Sequence, residues 1–171
     1  MHLIKFSLIS VVLLFLALVA LSFFFPSHIR ISRAINIAAS REKTYAALSD
    51  LRAWDDWNTF TRSTPLTGRS LSSPSSGNGA FLRSDQLIIR EEESGPDSVQ
   101  FDWRQTKGKS FRSGFNLLQL RPDSLTVQWW IDFHFRWYPW EKLTSLVYDQ
   151  HFGPIMEESL AGLKQYVEKV P

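Results

Sequence analysis

The sequence predicts an α+β domain in which a curved antiparallel β-sheet wraps around a long C-terminal helix, preceded by an N-terminal transmembrane helix. Three observations carry this prediction. An uncharged apolar run opens the chain, short alternating segments separated by tight turns fill its middle, and an apolar stripe at helical spacing closes it.

The opening run comes first. No side chain from Phe6 to Ser27 is charged, and Leu8 to Phe25 is almost wholly apolar. About 20 residues rising 1.5 Å each cross the roughly 30 Å hydrocarbon core of a bilayer. A buried core helix would be amphipathic, whereas this segment is apolar on every side. A cleaved signal peptide is the rival, with Lys5 as its basic region. Apolar signal cores usually run only roughly 7–15 residues, however, and the small residues Ala17 and Ala20 are followed by further apolar sequence through Phe25. The chain therefore divides into a membrane anchor, residues 1–27, and a soluble domain, residues 28–171. Lys5 stands on one side of the span and Arg30 and Arg33 on the other, so basic flanks give no clean orientation. The short amino-terminal tail favours a single-pass membrane protein with its domain extracytoplasmic.

The soluble part begins with Ile29, Ile31, Ile35 and Ile37 at even spacing, the mark of a half-buried strand. Ser40 is a natural N-cap for a helix over 41–51, with Glu42 in its first turn and Thr44, Tyr45, Leu48 and Leu51 facing inward. A short second helix carries Trp54 and Trp57. From Thr61 to Gly79 the composition turns to Ser, Thr, Pro and Gly, which predicts a long surface loop.

Strands follow. A hairpin joins Ala80–Arg83 to Gln86–Glu93, and Glu91, Glu92 and Glu93 form its solvated end. Beyond the turn at Ser94–Asp97, Val99, Phe101 and Trp103 oppose Gln100, Asp102 and Arg104. The strand from Ser110 to Arg121 shifts its alternation at Leu117–Leu118, which predicts a bulge there. In the last strand Leu125, Val127, Trp129, Ile131, Phe133, Phe135 and Trp137 share one face. Asp132, His134 and Arg136 stand on the other, facing solvent. Two helical stretches then run from Glu141 to Phe152 and on to Lys169, broken at Gly153–Pro154. Ile155, Met156, Ser159, Leu160, Leu163 and Val167 form the buried stripe.

Composition excludes several functions. With 19 Lys and Arg against 17 Asp and Glu, the net charge of +2 is too small to serve a nucleic-acid binder. There is no Cys, hence no disulfide, thiolate nucleophile or zinc–thiolate site, and the four His are scattered without ligand spacing. No phosphate-cradling or hydrolase motif occurs, and no cofactor and no metal are expected.

The order of these segments resembles the START-like, or SRPBCC, superfamily, which includes polyketide cyclase/dehydratase-like proteins and relatives of the birch-pollen allergen. Ile31–Tyr45 is similar to that family's first strand and its turn into the first helix. Ser49–Trp57 resembles its Asp followed by paired Trp, and Phe152–Lys164 its Gly-Pro-initiated terminal helix. Many relatives carry Pro after the paired Trp, where this chain has Asn58. The likeness covers nearly all of residues 28–170, and an amino-terminal membrane helix is common in one bacterial branch. It implies a helix-grip fold and a cavity between sheet and terminal helix that binds a hydrophobic small molecule or lipid.

The candidate cavity-lining residues are Trp54, Trp57, Phe81, Phe101, Trp103, Phe111, Ser113, Phe115, Trp129, Ile131, Phe133 and Leu146. So many bulky groups fill a core equally well, and Ser113 and Gln119 are the inward polar positions. No strand phase places an acid/base pair inward, so no catalytic residue is assigned. A cyclase or dehydratase activity in the same cavity, and a co-chaperone-like interaction module with a filled core, remain the alternatives.

Overall fold

Leucine, isoleucine, valine and phenylalanine on every side leave the first segment without a polar stripe. It forms one helix, α1 (His2–Ser22), that is long and apolar enough to cross a membrane. The computed structural model describes residues 2–24, 27–63, 67–108, 110–121, 123–136 and 138–169, with side chains described for all of these except 2, 3, 63, 120, 139, 140 and 142–146. Phe23 and Phe24 lie in the turn that follows α1, both exposed. Pro26, expected with Ser27 to end the helix, falls outside the described residues, as do Phe25 and Trp137.

Seven strands form one antiparallel sheet in the order β1-β7-β6-β5-β4-β3-β2. They are β1 (His28–Ile37), β2 (Ser70–Leu71), β3 (Phe81–Arg83), β4 (Leu87–Gly95), β5 (Ser98–Gln105), β6 (Phe111–Arg121) and β7 (Ser124–His134). The first and last strands pair along their whole lengths, from His28 opposite His134 to Ile37 opposite Leu125. Between β1 and β2 lie α2 (Arg41–Ser49), α3 (Trp54–Trp57) and α4 (Thr59–Ser63). Ser40 caps α2 as expected, its hydroxyl accepting the Lys43 N–H at 3.4 Å.

The terminal element is one continuous helix, α5 (Pro139–Lys169), with Pro154 inside it rather than at a break. Proline removes one helical donor and crowds the preceding turn, and here Arg33 spans the weak point. On the inner face of β1, its guanidinium donates to Asp149 at 2.9 Å and to Glu157 at 2.7 Å, one residue before Pro154's turn and one after it. Gly153 leaves room for this contact, because a Cβ there would lie 2.5 Å from an Arg33 nitrogen. The two carboxylates hold Arg33 charged, raising its pKa, with the Glu157 hydrogen bond as the largest cause. Replacing Arg33 with Ala is expected to cost at most about 1 kcal/mol, since both partners are exposed. Amide hydrogen exchange over 149–157 is nevertheless expected to accelerate, more than elsewhere in α5.

Met156, Ser159, Leu160, Leu163 and Val167 of α5 are buried against the sheet and the short helices, the expected stripe except for Ile155, which is only half-buried. Gly162 lets α5 pass close to α3, since a Cβ there would lie 2.5 Å from the Trp57 carbonyl oxygen.

Three local expectations are corrected. The stretch from Thr61 to Gly79 is not a featureless loop: α4 runs to Ser63, and β2 extends the sheet. Ser75 accepts the Leu51 N–H on its carbonyl at 3.0 Å and donates to Asp50 at 2.7 Å. Residues 64–66 lie outside the described residues. The irregularity in β6 falls between Gln119 and Arg121, while Leu117 and Leu118 stay in register with Val127 and Thr126. Gln119 keeps the inner-face phase, opposite Leu125, but lies near the end of β6 and is exposed. A second register shift lies between Glu91 and Glu93 in β4.

Candidate ligand site

Two helices and the inner sheet face bring most of the expected lining residues into one cluster. Trp54 and Trp57 are fully buried. Their indole N–H groups donate to the carbonyls of Leu48 at 2.9 Å and Ala47 at 3.3 Å, so each ring is fixed by the C-terminal turn of α2. Trp54 meets Phe101 edge-on at 4.7 Å between ring centres and Trp57 at 5.7 Å. Phe115 stacks on Trp129 at 5.1 Å and Trp103 on Phe111 at 5.4 Å, while Phe111 leads to Phe133 at 5.2 Å. Ser113 is buried among them and accepts the Trp103 indole N–H at 2.8 Å. Ile131 stands opposite Ser113 on β7. Phe81 does not join them: it is half-buried opposite exposed Arg90, on the outer face, and Leu82 takes the inner position. Three residues of β3 are too few for alternation to set the phase. The Leu146 side chain lies outside the described side chains.

A concavity of about 530 Å³ opens beside this cluster, lined among the described residues by Phe60, Asp85, Gln86, Leu87, Gln105, Thr106 and Lys107. Apolar Phe60 and Leu87 sit with polar Asp85 and Gln86 from the turn after β3, and with Gln105, Thr106 and Lys107 from the end of β5 and the turn after it. The Phe60 ring links it to the core, lying edge-on to Trp103 at 5.1 Å and stacked with Phe152 of α5 at 6.3 Å. Asn58 sets this arrangement. Its side-chain oxygen accepts the Phe60 N–H at 3.0 Å at the start of α4. None of these seven lining residues stood among the expected ones. Connectivity carried the missing signal, because in an antiparallel meander the β3–β4 and β5–β6 turns must fall at the same end of the sheet.

Two carboxylates expected on the surface are buried. Glu91 is on the inner face, fully buried, with one oxygen accepting the Gly77 N–H at 2.9 Å and the other without a hydrogen-bond partner. Burial raises its pKa, against the smaller opposing effects of Ser94 and the Gly77 amide. Asp132 is on the outer face but is covered from β1, where Arg30 donates to both of its oxygens, at 2.7 and 2.6 Å. That hydrogen bonding lowers the Asp132 pKa, burial working against it. Arg30 also lies over the Trp130 ring at 4.5 Å, and His28 contacts His134 at 4.5 Å between ring centres. A single strand cannot reveal such partners, which come from the β1–β7 register. His151 is exposed, and Asp149 pairs with Arg33. Among the described residues no group of three or more His, Asp or Glu is placed to hold a metal.

The sheet order, the enclosed helix and the inner aromatic face define a START-like fold. The family described as polyketide cyclase/dehydrase and lipid transport matches residues 28–168, and the chain belongs to it. No curated protein matches the sequence. Among solved structures, a START superfamily protein from Mycobacterium smegmatis is 18% identical, with a TM-score of 0.60 over 83% of this chain and 99% of that one. CalU16 from Micromonospora echinospora is 12% identical, with a TM-score of 0.57 over 83% of this chain and 76% of its own. A protein of unknown function from Staphylococcus aureus, SA2116, is 11% identical, with a TM-score of 0.62 over 82% and 94%. At such identities the likeness is one of fold.

Proposed function

We propose that the chain is a membrane-anchored START-like domain that binds a hydrophobic small molecule or lipid between the sheet and α5. The domain would lie on the extracytoplasmic side of the membrane, α1 being its single-pass anchor. The observation that supports this most is Phe60, whose ring is the partition between an open, polar-rimmed concavity and the aromatic interior. A ligand places its polar end against the Asp85–Leu87 and Gln105–Lys107 turns. Its apolar part displaces Phe60 and packs on Trp103, Phe111 and Phe152. The short helix α4 is the opening element, because Arg33 ties α5 across Pro154 and opposes a pivot there. Burying a few hundred Å² of apolar ligand surface is worth several kcal/mol at about 25 cal/mol per Å², enough to offset the displacement of one ring.

Native mass spectrometry of the full chain released from detergent, paired with solvent extraction, tests this. A co-purifying or loadable apolar molecule is expected, and Phe60→Trp, which enlarges the partition, is expected to lower its occupancy. A chain that stays ligand-free after incubation with a lipid extract overturns the proposal.

A further inference from the structure

The register of the sheet aligns its outer-face side chains into rows that run across the strands. One row reads Arg30, Asp132, Arg112, Asp102, Arg90. The next row towards the β1 start carries His28 and His134 at one side and Arg104 at the other, with Ile88 and Arg83 beyond it. The acids of these rows are already matched: Asp132 is held by Arg30, and Asp102 by Arg104 at 2.6 Å. Among the described residues Arg83, Arg90 and Lys107 have no carboxylate partner within ion-pair distance, and Arg112 has only Glu92, at 3.6 Å. Arg83 lies over the Phe81 ring instead. Asp85 is the one further acid of the adjoining turns. Among the described residues the far half of the same face, with Ala34, Asn36, Asn116, Leu118, Thr126 and Gln128, has a single basic side chain, Arg121 opposite Ser124, and the acid Glu93 opposite Gln100. Basic charge is therefore concentrated at one end of the outer face.

That end is the tethered one. His28, the start of β1, is only six Cα steps along the chain from Ser22, the end of α1. At no more than about 3.6 Å per residue they reach roughly 20 Å, less than the length of a ten-residue strand, about 33 Å. The basic end also holds the β3–β4 and β5–β6 turns, and with them the concavity at Phe60 and Leu87.

We propose that this end of the sheet docks on the anionic phospholipid surface of the bilayer that holds α1. The concavity then opens against the headgroups, where a lipid ligand is met. This rests on reading α1 as an anchor. Charge complementarity and the short tether select the bilayer as the occupant, since attraction of basic side chains to anionic lipid acts within a Debye length, about 8 Å at physiological salt.

The absence of Cys makes a clean test possible. Full chains carrying Thr106→Cys in the basic end, or Asp123→Cys in a far-end turn, are labelled with a fluorophore. They are placed in nanodiscs of phosphatidylcholine, with or without about a third phosphatidylglycerol, that contain a headgroup-attached quencher. The label at 106 is expected to be quenched in the anionic discs, and about threefold less after Arg104→Glu with Lys107→Glu or in high salt. The label at 123 is expected to stay bright, and an unchanged melting temperature shows that the double variant is folded. Equal quenching at both positions, or quenching indifferent to phosphatidylglycerol and to charge reversal, overturns the docking. Release of the chain from membranes by alkaline carbonate defeats the anchor reading instead. In that event, flotation of the free chain with phosphatidylglycerol but not phosphatidylcholine vesicles still supports docking, and its absence overturns it.

Discussion

Trp54→Ala is expected to destabilise the domain by about 3–5 kcal/mol, the range for truncating a buried Trp or Phe to Ala. The ring has no exposed surface and meets Trp57, Phe101, Trp103 and Phe115. Its loss removes packing from two helices and two strands at once, and two of those rings are tethered away from the vacated volume. Trp57 is held by its own bond to Ala47, and Trp103 by Ser113. The Leu48 carbonyl, which accepts the Trp54 indole N–H, loses that partner as well. Against a total stability of about 5–15 kcal/mol for a domain, the loss is a large fraction. Thermal unfolding of the full chain in detergent, followed by tryptophan fluorescence, measures it. Trp54→Phe separates the two contributions: it keeps most of the ring packing and loses the hydrogen bond, so about 1–2 kcal/mol is expected. If alanine and phenylalanine prove equally mild, the cluster is looser than its ring contacts indicate.

That cluster was largely legible in the sequence, because period-2 alternation in β5 and β7 and the paired tryptophans fix which side chains turn inward. Ser40 as a cap and the stripe of α5 were legible for the same reason, local pattern matching local structure. What could not be read were consequences of register. Asp132 is solvated on a lone strand and covered once β1 places Arg30 opposite it. Glu91 sits in an acidic triplet that looks like a strand end, yet a bulge follows it and the 77–80 backbone closes over it. Phe81 follows from neither rule, since β3 is too short to show a phase. The concavity was missed for a different reason. Its lining comes from turns, whose residues are polar and uninformative one at a time, and from Phe60, whose placement depends on Asn58 starting α4.

The buried carboxyl of Glu91 gives the second large effect. Its raised pKa means that, between the ordinary carboxylate range and its folded value, the native state binds more protons here than the unfolded chain does. The contribution is therefore fully present below the ordinary range. It is lost as pH rises through the folded value, above which the native state bears a desolvated charge. Glu91→Gln removes that charge but keeps an acceptor for the Gly77 N–H, and its new amide N–H stands beside the Ser94 hydroxyl. At pH 7 the variant is expected to be more stable than the parent by about 1–2 kcal/mol, the scale of an imperfectly compensated buried polar group. Below the ordinary carboxylate range, where Glu91 is protonated, the two proteins converge. Asp132 has the opposite sign, with its pKa lowered by Arg30, so its contribution is present at neutral pH and lost as pH falls through its folded value. The Glu91→Gln chain should thus retain the acid-side loss and lack the decline towards neutrality. Melting temperatures taken from acid to neutral pH distinguish the two. A variant less stable than the parent at pH 7 would show that the ionised carboxylate is needed to hold the 77–80 backbone, and that its hydrogen bond outweighs its burial.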